Sequence, residues 1–186
     1  MTLGILAAAA SALCLFLFLY PYVIYPVLLR LAPQRPFGPA SDRTGGVAGE
    51  TPTAALLFCA YNEERSLPEK IDNMRELKAR MPELQIYAYS DCSTDGTNAL
   101  LEEASDVLTP VISTERTGKA AGMARMVEPL DVEVLVFTDA NVILPPDDLE
   151  KLLGYFHDPE IGSVSAKLNY LLGDADGSAA SATAEV

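Results

Sequence analysis

Between Leu3 and Leu29 the chain carries no charged side chain, and this run of 27 residues limits what the rest can fold into. Wound as a helix it would reach about 40 Å, more than the roughly 30 Å hydrocarbon core of a bilayer requires. A cleaved signal peptide would need a basic start and a small-residue cleavage site. The chain instead opens Met1-Thr2-Leu3, and the apolar run is too long. Residues 3–31 are therefore expected to form a retained transmembrane anchor in contact with membrane lipid. The nearest bases, Arg30, Arg35 and Arg43, all follow the run, so the positive-inside rule predicts a cytoplasmic C-terminal domain. Pro21 and Pro26 should kink or end the helix near the interface, where Tyr20, Tyr22 and Tyr25 can anchor it.

What remains of the 186 residues suffices for one soluble domain. Residues 32–53 hold four prolines and four glycines with almost no apolar periodicity, as in a linker. The formal charge of -13, from 26 acids against 13 bases, argues against a nucleic-acid partner, which would need clustered Lys and Arg. Cys14, Cys59 and Cys92 are odd in number, dispersed and without CxxC spacing, so neither a disulfide framework nor a zinc site is indicated.

From Ala54 onward, short apolar runs alternate with helical patterns. Strands are expected over 54–60, 84–90, 107–113, 132–138 and 162–168, and helices over 66–80, 94–104, 119–127 and 147–157. That alternation predicts an α/β domain over residues 54–172, with three layers and a mostly parallel sheet covered by helices. Leu67, Ile71, Met74 and Leu77 recur at helical spacing behind a capping-box pattern, Ser66-Leu67-Pro68-Glu69. Val132 to Phe137 is apolar except for Glu133, the pattern of a central strand buried on both faces. The tail, 173–186, is rich in small residues and reads either as disordered or as a helix cut short.

In an open parallel sheet, ligands bind beyond the carboxyl ends of the strands. Three polar clusters fall there: Tyr61-Asn62-Glu63-Glu64, then Asp91 through Thr97, then Asp139-Ala140-Asn141. Each alone reads as an ordinary strand-to-helix turn, because Asp, Asn, Ser, Thr and Gly are common turn and N-cap residues. Three at one sheet edge favour a shared site. The Tyr61 ring can stack on a base, and the Asp91 carboxylate can accept a base N–H; uracil would fit that pair. Asp139 and Asn141 can converge on a ribose hydroxyl or on a divalent ion bridging a diphosphate. Lys119 opens a helix after Gly118, where charge and free N–H groups suit phosphate, although a solvated surface lysine would look the same. His157 reads as a surface residue at a helix C-terminus, and Cys59 and Cys92 as packing residues rather than nucleophiles.

Phe58 through Glu64, Ser90 through Thr97, Gly118-Lys119-Ala120 and Thr138-Asp139-Ala140-Asn141 together resemble the family 2 glycosyltransferases of GT-A fold, over roughly 53–168 and in the family's order and spacing. The resemblance implies that Tyr61, Asn62 and Glu63 contact the nucleoside of a nucleotide-sugar donor. It also implies that Asp91 binds uracil, that Lys119 lies by the nucleotide, and that Asp139 and Asn141 fill the Asp-x-Asp position that holds Mg²⁺ or Mn²⁺. Asn141 departs from that pattern, because a neutral amide is a weaker ligand than a carboxylate. The implied reaction is inverting transfer of a sugar, presumed UDP-linked, to a hydroxyl acceptor in polysaccharide or glycoconjugate synthesis. The family's general base and its Gln-x-x-Arg-Trp motif are expected beyond Val186, so the catalytic residue is left unassigned. Two alternatives stay open: a nucleotidyltransferase-like enzyme, although its glycine-rich basic loop is here the acidic 61–64, and a noncatalytic nucleotide-binding membrane protein.

Overall fold

Leucine, alanine and phenylalanine dominate the N-terminal segment, which winds into α1 (Thr2–Leu19), a π-helical turn (Tyr20–Ile24) and α2 (Tyr25–Leu31). Pro21 has no N–H to donate to the preceding turn. The helix absorbs it without ending: the Tyr25 N–H reaches back five residues to the Tyr20 carbonyl. Gly4–Leu31 is thus one helical stretch of 28 residues, with mean hydropathy 2.1 over its most apolar 18 residues, long and apolar enough to cross a membrane. The computed structural model describes residues 2–32, 51–170 and 182–185, so most of the expected linker and much of the tail lie outside the described residues. The chain divides into two compact units, Met1–Phe37 and Gly38–Val186.

The second unit follows the alternation expected from sequence: β1 (Ala54–Ala60), α3 (Leu67–Arg80), β2 (Gln85–Asp91), α4 (Thr97–Glu103), β3 (Thr109–Ser113), α5 (Lys119–Val127) and β4 (Val134–Asp139). Next come a two-residue strand, β5 (Val142–Ile143), and α6 (Pro146–Gly154), which runs into a 3₁₀ turn at Tyr155–His157. The four longer strands form a parallel sheet of order β3-β2-β1-β4. Side chains alternate across β1. Leu56 and Phe58 meet Leu67, Met74 and Leu77 of α3 on one face, while Ala55 and Leu57 meet Tyr89 and Met126 on the other. Burying a side chain of this size is worth about 1.5–3 kcal/mol, so β1 is the energetic spine of the sheet.

That role was expected of Val132 to Phe137. The sheet order instead puts β4 at an edge, and α5 packs chiefly over β2 and β1. On that face Leu135 and Phe137 remain 36% and 56% exposed. An apolar run signals a preference for burial but not which strand receives two covers. The expected capping box is also not formed. Ser66 adopts helical angles, and its hydroxyl donates to Glu63 rather than accepting a helix N–H. The last strand lies later than the pattern suggested: β6 spans Lys167–Tyr170 and pairs antiparallel with β7 (Ala182–Glu185). Those four tail residues are therefore extended rather than helical. β7 also pairs parallel with β5, making a second, three-stranded sheet.

Candidate functional site

β2 and β3 lie on one side of β1 and β4 on the other, so the direction of winding reverses between β1 and β4. At such a switch point the loops beyond the strands' carboxyl ends part and leave a crevice. Register aligns those ends: Ala60 pairs with Ser90, Cys59 with Asp139, and Asp91 with Ser113. Tyr61, Asp91 and Asp139 consequently emerge on one edge.

The first two loops are latched together. Asn62, in the left-handed region at φ 54°, accepts the Thr94 N–H at 2.8 Å and donates its own N–H to Ser93 Oγ at 3.2 Å. The Glu63 N–H donates to Thr97 Oγ1 at 2.9 Å, and the Glu64 N–H to Asp95 Oδ2 at 3.2 Å, while Glu64 accepts the Gly96 N–H at 3.0 Å. Asn62 and the Glu63 backbone thus hold the second loop, and the Glu63 carboxylate takes the Ser66 hydroxyl at 2.5 Å. Tyr61 takes no part in this latch and stays 39% exposed.

Asp91 is buried at the end of β2, and its Oδ1 accepts the Thr117 N–H at 2.7 Å and the Gly118 N–H at 3.1 Å. Those bonds, Thr117 first, together with the nearby Arg116 charge, hold its carboxyl below the usual range against desolvation. Asp91 thereby shapes residues 116–118, where Gly118 takes φ 85°, a conformation that suits glycine. Sequence reasoning passed over Arg116. Its guanidinium lies 3.4 Å from the centroid of the Tyr61 ring, with Nε 3.9 Å from Asp91 Oδ2. A planar cation stacked on an aromatic face occupies the place a nucleobase would take and can form that base's second cover.

On the other flank Lys119, the first residue of α5, ion-pairs with Asp139, and both side chains are more than half exposed. Asn141 is exposed in the turn between β4 and β5. Among the described residues no group of three or more His, Cys, Asp or Glu side chains could hold a metal. A divalent cation at this turn would find one carboxylate, Asp139, and one amide, Asn141, and would need phosphate oxygens and water as its other ligands. Lys119 would have to yield Asp139 to such an ion. Under the turn, Lys70 is fully buried, its pKa drawn down to about 7 by burial and pushed back up by Asp139. Burial raises the Cys59 thiol to about 11, as befits a packing residue. His157 sits in the 3₁₀ turn after α6 with Nδ1 3.1 Å from the Gly154 carbonyl oxygen.

A parallel sheet of this order, covered by helices and opening at its switch point, is the arrangement of a GT-A domain. The chain belongs to glycosyl transferase family 2, whose profile matches residues 56–173. Among solved structures it is similar to the mannosyltransferase PcManGT from Pyrobaculum calidifontis, in complex with GDP-Man and Mn²⁺. The two are 29% identical with a TM-score of 0.66, over 86% of this chain and 46% of that one. The S. aureus protein TarS matches 47% of this chain and 16% of its own at 19% identity and a TM-score of 0.43. This chain therefore spans less than half the length of either. No curated protein matches it.

Proposed function

We propose that the chain supplies the donor side of a membrane-anchored glycosyltransferase that moves a sugar, with inversion, from a nucleoside diphosphate to a hydroxyl of a growing polysaccharide or glycoconjugate. In this reading residues 3–31 are the anchor, 32–53 the linker, 54–172 the donor-binding domain and 173–186 a tail, with the domain on the cytoplasmic side. The observation that carries it is the convergence of Tyr61, Asp91 and Asp139 on the edge where the strand order reverses.

The base displaces the Arg116 guanidinium from the Tyr61 ring, stacks there, and hydrogen-bonds to Asp91, whose Oδ2 keeps acceptor capacity. Asn62 and Glu63 keep the loop under the nucleoside in shape. Lys119 turns from Asp139 to the diphosphate. Asp139, aided by Asn141, would hold the cation, which when bound neutralises charge building on the leaving diphosphate. We assign no general base among the described residues. The resemblance favours uridine as the nucleoside; guanosine is the second reading, because the relative at 29% identity is a mannosyltransferase in complex with GDP-Man and Mn²⁺.

Calorimetry on the full chain in detergent, with UDP and GDP and with and without Mn²⁺, tests this. One nucleotide should bind, Mn²⁺ should tighten it, and Asp139→Asn should abolish most of that tightening, about tenfold or more. If neither nucleotide binds, or if Asp139→Asn leaves the manganese effect intact, the reading fails.

A further inference from the structure

Lys70 stands on α3 among Leu67, Ile71 and Met74, with none of its surface exposed. Among the described residues no carboxylate lies within ion-pair distance of its ammonium. Burying an amine with no ion-pair partner is expensive, and methionine would fill the same space at lower free energy, so fold stability does not explain the residue. Its contacts do. Nζ donates to the Val142 carbonyl at 2.5 Å, lies 3.5 Å from Thr138 Oγ1, and sits 5.4 Å from the centroid of the Phe58 ring. Thr138 immediately precedes Asp139, and Val142 immediately follows Asn141. The ammonium therefore brackets the turn that carries both candidate cation ligands and touches it from beneath at each end.

We propose that Lys70 is a positioning residue for Asp139 and Asn141: it pins both ends of their turn so that the two side chains face the cation and diphosphate in a fixed register. Asn73, one helical turn along, extends the clamp by bonding the Leu144 N–H and C=O. A ligand turn held by a buried amine donor cannot slide along its strand without leaving that donor unsatisfied, which is a stiffer restraint than apolar packing provides. The inference rests on the reading of Asp139 given above.

The test uses the full chain in detergent and the nucleotide, GDP or UDP, that the wild type binds. For wild type, Lys70→Met and Asp139→Asn, the dissociation constant is measured with and without Mn²⁺, and the ratio is the manganese enhancement. Lys70→Met should keep its metal-free affinity within about twofold of wild type while its enhancement falls about 10- to 100-fold, the loss usual when a group supporting a metal ligand is removed. If Lys70→Met keeps the enhancement while Asp139→Asn loses it, Lys70 is only a core residue and the proposal is wrong although the site stands. If Asp139→Asn keeps it, the site reading itself fails and takes this proposal with it. An equal loss of metal-free affinity in Lys70→Met would mean general damage and also overturn it. Should Lys70→Met not fold, Thr138→Val, which removes one of the two groups Nζ reaches, decides: a fall in enhancement of about threefold or more supports the clamp, and a smaller one overturns it.

Discussion

Replacing Asn73 by alanine tests how the β4–β5 turn is tied to α3. Asn73 Nδ2 donates to the Leu144 carbonyl at 2.8 Å, and its Oδ1 accepts the Leu144 N–H at 2.9 Å. Both residues are 3% exposed, so water does not stand in for the amide. Truncation leaves a buried N–H and a buried C=O without partners, each costing about 1–3 kcal/mol. With some relaxation the expected loss is about 2–4 kcal/mol. A domain of this size moves by roughly 3–6 °C per kcal/mol, so the melting temperature should fall by about 6–24 °C. Thermal unfolding of the full chain in detergent, followed by circular dichroism, measures it. Asn73→Asp is the companion variant. It still accepts the Leu144 N–H but sets an anionic oxygen against the Leu144 carbonyl, and should be at least as damaging. A shift below about 2 °C for alanine, or an aspartate variant as stable as wild type, would refute the reasoning.

Gly122→Ala should destabilise, unlike an ordinary glycine-to-alanine change in a helix, because the new Cβ would lie 2.3 Å from Cδ1 of the buried Tyr89 ring. The gain in helix propensity, about 1 kcal/mol, is set against about 1–3 kcal/mol of overpacking, so thermal melting should show a net loss of about 1 kcal/mol. The Asp91 pKa is lowered on folding, so the stability its ionised carboxylate contributes is present above its ordinary value of 3.8 and lost as pH falls below it. Asp91→Asn should therefore melt below wild type by a constant margin from pH 8 to pH 5, and the margin should shrink under about pH 4; a margin that grows in acid would contradict the assignment.

Several features could be read from neighbours in sequence alone. Leu67, Ile71, Met74 and Leu77 recur at 3.6-residue spacing, and that spacing settles which face of α3 is buried before any partner is known. The uncharged run before Leu29 makes a helix whatever follows it. The polar clusters at Tyr61, Asp91 and Asp139 were recognisable as strand-end loops because each ends an apolar run, and a parallel sheet must gather such ends on one edge.

Other features depend on strand order and on contacts between residues about 25 to 80 positions apart. β1 and β4 are both apolar runs, and only the crossover that sends β4 past β1 makes one the buried spine and leaves Phe137 of the other in solvent. Arg116 looks like any charge in a loop until Asp91 folds residues 116–118 back against Tyr61. Lys70, between Glu69 and Ile71 and two residues from Asp72, has the sequence surroundings of a solvated helix lysine. It is buried because β4 and β5 close over its end of α3, where its amine reaches the Thr138 hydroxyl and the Val142 carbonyl, 68 and 72 residues away in sequence.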